Sequence, residues 1–217
     1  AIGRCAETGR PVLFTTGGAS EIRRVELYAS MPALRLVAGL AARYDVRLIV
    51  PVCYAQTLPV HMLAVQDARL EAADADATEE ADVRFLPGGQ FLFAVAAMGW
   101  MSRERPAACI YFGYWEADSL MFATQGRVGE ALQIAATPNL PQTPFFLACC
   151  DHVLIGEEFW LAAAQLGGDP VLAGGLSAQD LIKLSVALLI VVGAAAATLP
   201  MGVVSDVFAA VRAAVGI

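Results

Sequence analysis

The chain has 217 residues, of which 58% are hydrophobic and only 16% charged, with a formal net charge of −7. Soluble domains typically hold about 45–50% apolar and about 25% charged residues, so this length provides one ordinary domain, or two small ones, with apolar surface left over. An acidic balance without a basic stripe excludes nucleic acid as a partner and leaves apolar insertion, not charge, as the means of reaching a membrane.

Short apolar runs alternate with longer helical patterns. Residues 11–16 (PVLFTT) read as a strand. Residues 25–44 place apolar side chains at helical spacing, with arginines on the other face. Residues 46–52 (VRLIVPV) are rich in β-branched side chains and read as a buried strand. Residues 58–73 return to helical spacing. Residues 67–82 (DARLEAADADATEEAD) read as a solvated helix end and loop. Residues 83–86 form a short strand before the turn Pro87-Gly88-Gly89, and residues 90–101 a helix apolar nearly all round, which needs cover on both faces, from core or from a second subunit. Residues 107–114 (AACIYFGY) read as a strand and 116–124 as a helix. Residues 131–137 (ALQIAAT) and 144–150 (PFFLACC) read as strands, 153–155 as a further short one, and 157–166 as a helix before Gly167-Gly168. Residues 168–180 (GDPVLAGGLSAQD) read as a Gly-rich connector.

Strands alternating with helices of ten or more residues predict an α/β fold: a mainly parallel, doubly wound (Rossmann-like) sheet with helices on both faces. The late pair of strands without an intervening helix predicts an antiparallel edge.

No charged residue occurs from Leu184 to Ser205; Lys183 and Asp206 mark the borders. A helix needs about 20 apolar residues to cross a bilayer, and this run predicts a C-terminal transmembrane helix. The organisation expected is an α/β globular domain over 1–180, a transmembrane helix over 181–204 and a short amphipathic helix over 205–217. Pro200 either kinks the span or marks its end near Leu199, with Ser205 as N-cap of the amphipathic piece. The small residues Gly193-Ala194-Ala195-Ala196-Ala197 let a second membrane helix approach closely. Lys183 and Arg212 balance each other across the span, so the positive-inside rule leaves orientation open. Five cysteines without regular spacing argue against a disulfide framework and for a reducing setting, which places the main domain on the cytoplasmic side of the cell membrane. The chain begins at Ala1, compatible with an upstream segment that includes another span.

Ligands of open α/β sheets favour the crevice outside the carboxyl ends of the strands. The loop after the first strand, Thr15-Thr16-Gly17-Gly18-Ala19-Ser20, could offer backbone N–H groups to a phosphate. It matches neither GxGxxG nor GxxxxGK[ST], however, and Glu21 would repel an anion. Gly88 and Gly89 follow the third strand, and Gly113-Tyr114-Trp115-Glu116 the fourth. The rim they would line gives the candidate ligand-binding set Thr15, Thr16, Gly17, Gly18, Ser20, Gly88, Gly89, Gly113 and Glu116. Against it, Glu116 and Asp118 suit the first turn of the next helix, where the dipole favours acids; Glu157 and Glu158 invite the same explanation. Cys149-Cys150-Asp151-His152 is the densest group of potential metal ligands, but adjacent strand residues point to opposite faces and no CxxC or HxxxH supports them. Nothing places His61 or His152 beside a thiol as a base. No metal, cofactor or catalytic residue is assigned.

The order of GRPVLFTTG (9–17), LAARYDVRLIVP (40–51), DVRFLPGGQF (82–91), MGWMSRERPAACIYFGYW (98–115) and ACCDHVLIGEEFWLAAAQLGGDP (148–170) resembles a family of uncharacterised bacterial membrane proteins, a domain of unknown function. The likeness covers most of residues 8–192. It implies an α/β part flanked by hydrophobic segments and carries no activity or catalytic residue.

The function expected is a membrane-anchored structural or assembly protein, acting as a homo-oligomer or as a subunit of a larger membrane complex, with the lipid bilayer as partner. The alternative is a membrane-tethered small-ligand- or nucleotide-binding domain, enzymatic or not, using the rim. A channel is disfavoured, because one helix without intramembrane charge offers no ion path.

Overall fold

The computed structural model describes residues 1–72, 81–168 and 170–198. The chain divides into two compact units, Ala1–Asp169 and Pro170–Ile217. The first unit runs α1 (Ile2–Thr8), β1 (Val12–Thr15), α2 (Val25–Arg43), β2 (Leu48–Val52), α3 (Leu58–Ala72), β3 (Ala81–Phe85), α4 (Gly89–Glu104), β4 (Ala108–Phe112), α5 (Ser119–Val128), β5 (Leu132–Thr137), α6 (Thr143–Cys149), β6 (His152–Ile155) and α7 (Glu157–Gly167).

The six strands form one sheet in the order β3-β2-β1-β4-β5-β6, and every pairing is parallel. Every residue of β1, β2 and β4 is buried, which is why these segments read as unbroken apolar runs: a parallel sheet is covered on both faces. Side chains alternate between the layers. Val12 and Phe14 join the core under α2, α3 and α7, with Leu34, Val65 and Phe159. Leu13 points the other way, into the core under α4, α5 and α6, with Phe93, Phe122 and Phe146. The edge strands β3 and β6 hold no buried residue.

Arginines stitch the amino ends of the sheet. Arg10 donates from Nε to Arg105 O (2.6 Å) and from Nη2 to Pro106 O (3.2 Å) and Gly129 O (2.9 Å). It thereby caps the carbonyl-rich ends of α4 and α5, where a cation also complements the helix dipoles. Arg47 bridges Asp82 (2.6 Å) and Glu104 (2.7 Å).

The α/β class, the parallel sheet and the helices on both faces agree with the sequence reading, and four local expectations do not. Residues 144–150 are not a strand: α6 covers all but Cys150, with Pro144 in its first turn, Phe146 buried and Phe145 and Leu147 exposed. An apolar run this short carries no periodicity that separates helix from strand. Because α6 is a helix, β6 follows by a crossover and pairs parallel to β5, so the expected antiparallel edge does not exist. Residues 170–180 are helical and not a connector. The helix after β4 starts at Ser119, so Glu116 precedes it and Asp118 is its N-cap. The short helix α1 carried no expectation; it buries Ile2 and Cys5 and ends at Gly9, whose φ of 65° suits glycine.

The second unit contains α8 (Pro170–Thr198), 29 residues long. Two helices are long and apolar enough to cross a membrane by length and composition: Val25–Arg43 within α2, and Ser177–Ala195 within α8. The first is half buried and covers the sheet, whereas none of the second is buried. Pro200, the end of the expected span and the expected amphipathic helix over 205–217 lie outside the described residues, as does most of the acidic stretch that follows α3.

The two faces of α2 give a direct test. Leu34 is fully buried and Leu36 is 45% exposed. Leu34→Ala is expected to cost about 2–5 kcal/mol and Leu36→Ala less than about 0.5 kcal/mol, measured from urea denaturation midpoints of the detergent-solubilised chain.

Candidate functional site

The strand order reverses between β1 and β4, and the carboxyl ends of those strands frame the crevice where such sheets hold ligands. The loops after β1 and β4 meet there, together with Gln90 in the first turn of α4. Gly113, at the end of β4, lies so close to Thr16 that an added Cβ would overlap the Thr16 carbonyl. Gly17, with φ of 89°, lies against Trp115: a Cβ there would stand 2.9 Å from both the indole and Tyr114 O. These glycines are therefore required by the contact between the two loops.

Asp118, which the sequence reading placed in a first helical turn, is the point where the loops after β1 and β4 join the first turn of α4. Its side chain is completely buried. Oδ2 accepts from Gly18 N–H at 2.8 Å, and Oδ1 accepts from the Gln90 side-chain amide at 2.8 Å and from Glu116 N–H at 3.3 Å. Gly88 and Gly89 themselves are not part of this contact: a Cβ on Gly88 would meet Leu92, and one on Gly89 nothing within 4 Å. Above this contact Arg24 stacks 3.7 Å from the Tyr114 ring centroid and lies 3.7 Å from Glu116. The ion pair is half exposed and contributes little.

The hydroxyls of the loop expected to offer backbone N–H groups to a phosphate are engaged internally. Thr15 Oγ1 donates to Pro51 O (3.3 Å) and accepts from Gly17 N–H (3.3 Å). Ser20 Oγ donates to Thr16 O. Thr16 Oγ1 lies 3.2 Å from Nε2 of His61, whose Nδ1 is 2.8 Å from Thr57 O. A carbonyl only accepts, so Nδ1 carries the proton and Nε2 accepts from the threonine hydroxyl. His61 is completely buried, and burial lowers its pKa below the ordinary 6.5. The imidazole is thus neutral and joins the β1 loop to α3. Nothing in residues 58–73 marks His61 as the partner of Thr16, because 45 positions separate them.

Trp115 fills the space beside Gly17. Its ring lies 5.1 Å from that of Phe122, 5.3 Å from Phe146 and 5.6 Å from Tyr111, each in edge contact. Asn139 donates to its carbonyl at 2.7 Å, tying the β5–α6 loop to the same cluster. The indole Nε1–H has no hydrogen-bond partner among the described residues, which costs about 1–3 kcal/mol; aromatic packing offsets it.

The cysteines are unpaired. Burial, together with the charge of Asp118, pushes the Cys53 thiol up to about 12; burial does the same to Cys109 and to Cys150, where Cys149 adds to it. Such thiols stay protonated at neutral pH and are poor nucleophiles. Cys149 ends α6, Cys150 follows it, and His152 lies exposed on β6. Among the described residues no group of three or more His, Cys, Asp or Glu is arranged to hold a metal. A groove of about 530 Å³ lies away from the rim, between α2, α3 and the end of α7. Its Arg35 is held by Asp67 (3.2 Å) and Glu71 (2.5 Å).

Residues 1–208 match the model of a family described as a domain of unknown function, DUF6754, and the chain belongs to that family. Comparison with curated proteins gives no match.

The neutral, buried His61 predicts an acid-sensitive fold. Its folded-state pKa lies below that of the unfolded chain, so the unfolded state binds the extra proton. Stability is complete above 6.5 and declines as pH falls through 6.5 towards the folded-state value. His61→Gln is expected to flatten this dependence, measured as urea midpoints between about pH 8 and pH 5; an unchanged slope would assign the effect to other groups. Gly113→Ala is expected to cost about 1–3 kcal/mol through overpacking against Thr16, read in the same denaturation assay.

Proposed function

We propose that this DUF6754 member is a membrane-anchored structural or assembly protein that works as a homo-oligomer or as a subunit of a larger membrane complex. The observation that carries the proposal is α8. Its Ser177–Ala195 stretch has a mean hydropathy of 1.8 and none of it is buried. Leu181, Leu184, Leu188, Leu189, Ile190 and Val191 are all exposed. Apolar surface of that extent in water costs about 25 cal/mol per Å², and a bilayer removes the cost without requiring a protein partner. Lys183 and Asp180, 3.6 Å apart, sit towards the polar border of the run. Gly193 and the following alanines give this helix a smooth surface suited to a second membrane helix. The unpaired cysteines favour a cytoplasmic main domain.

The second reading is a membrane-tethered domain that binds a small ligand or nucleotide at the rim. The strand order favours it, because the loops after β1 and β4 stand at the reversal of a Rossmann-like sheet. The burial of Thr15, Thr16, Ser20 and Trp115 weighs against it, since these groups already satisfy or fill one another.

Light scattering with detergent correction, on the full chain extracted in mild detergent, separates the readings. A defined oligomer or a complex with other membrane subunits is expected. A monomer at all concentrations would overturn the assembly reading and favour the ligand-binding one.

A further inference from the structure

The carboxylate of Asp118 occupies an unusual position for the N-cap of a helix. It makes no hydrogen bond to α5. Its oxygens turn instead to Gly18, a hundred residues away in sequence, to Gln90 of α4 and to the backbone of Glu116. Three N–H donors, from the β1 loop, the first turn of α4 and the β4 loop that holds Asp118 itself, therefore converge on one buried carboxylate at the point where the strand order reverses.

The surroundings are shaped for an anion and not for a salt bridge. Arg24 engages Glu116 and Tyr114, and no cation is paired with Asp118 among the described ion pairs. Its negative charge is met by oriented N–H dipoles, as in an oxyanion hole. The space depends on Gly18: a Cβ there would stand 2.8 Å from Asp118 Oδ2 and 3.1 Å from Gln90 Cγ. Without an anion, the buried Gly18 N–H would lose its partner, as would the half-buried Gln90 amide and Glu116 N–H.

We propose that Gly18 N–H, Glu116 N–H and the Gln90 amide form a binding site for a small carboxylate-like oxyanion, and that Asp118 is its built-in occupant. The protein thereby carries its own ligand in the crevice where Rossmann-like sheets hold phosphates, and its charge repels an incoming nucleotide. This inference stands apart from the membrane reading, since it concerns the first unit alone.

The test is chemical rescue in the full chain in mild detergent. Asp118→Ala empties the site, whereas Asp118→Asn keeps it filled without charge. Formate, phosphate and chloride are compared at matched ionic strength by thermal unfolding. Formate at roughly 0.1 M is expected to raise the melting temperature of D118A by about 3 °C or more over chloride, and that of the wild type and D118N not at all. Phosphate acting in place of formate also supports the site and shows that it admits tetrahedral anions. A D118A response no larger than that of D118N overturns the proposal. Hydrogen exchange on the wild type covers the case in which D118A fails to fold. The Gly18 and Glu116 amides are expected to exchange at least about 100-fold more slowly than in an unstructured peptide; unprotected amides overturn the proposal.

Discussion

Three strands buried on both faces constrain everything else in the first unit. β1, β2 and β4 have no solvent-facing side chain, so each must be followed by a segment long enough to return over the sheet, and that segment must be a helix with an apolar face. The two layers follow directly. α2, α3 and α7 cover one face, and α4, α5 and α6 the other. Six parallel strands also bring every strand-to-helix loop to the same end of the sheet, whatever the loops contain.

That crowding sets the chemistry of the carboxyl end. Loops after β1 and β4 emerge side by side where the order reverses, and in this chain they pack against each other. Glycine at 17 and 113 permits the approach, Trp115 fills the space between them, and Asp118 and His61 bond the β1 loop to α4, α5 and α3. Groups that could serve a ligand in an open crevice serve cohesion here. The same reasoning explains why the thiols are inert: Cys53 and Cys109 are small apolar fillers of a dry interior. On the proposed function, a closed rim suits a protein whose interactions lie elsewhere, in its membrane helix and its subunit contacts.

The apolar surplus divides accordingly. Much of it is spent on the two-faced sheet, including α2, whose hydropathy of 1.2 reflects its role as cover. The remainder is concentrated in α8, whose Ser177–Ala195 stretch has no buried residue. Both helices are long and apolar enough to cross a membrane, and the sharper contrast between them lies in burial, which hydropathy alone does not report.

How much of this was legible follows from the range of each interaction. Local periodicity showed the alternation of runs, the two-sided burial of the central strands and the apolar C-terminal helix, because strand and helix patterns repeat every two and every 3.6 residues. It also picked out Gly17, Gly18, Gly113 and Glu116 as loop residues at strand ends. It failed over 144–150, where seven apolar residues are too few to show a period, and over 170–180, where glycines mark no break in a helix. It gave no hint that Asp118 turns away from its own helix or that His61 meets Thr16. Sequence alone determined the class of the fold and where its excess apolar surface lies, since both arise from patterns within one element. Only the tertiary structure decided what the rim does with its donors, because Gly18 and Asp118, a hundred positions apart, become neighbours when β1 and β4 pair.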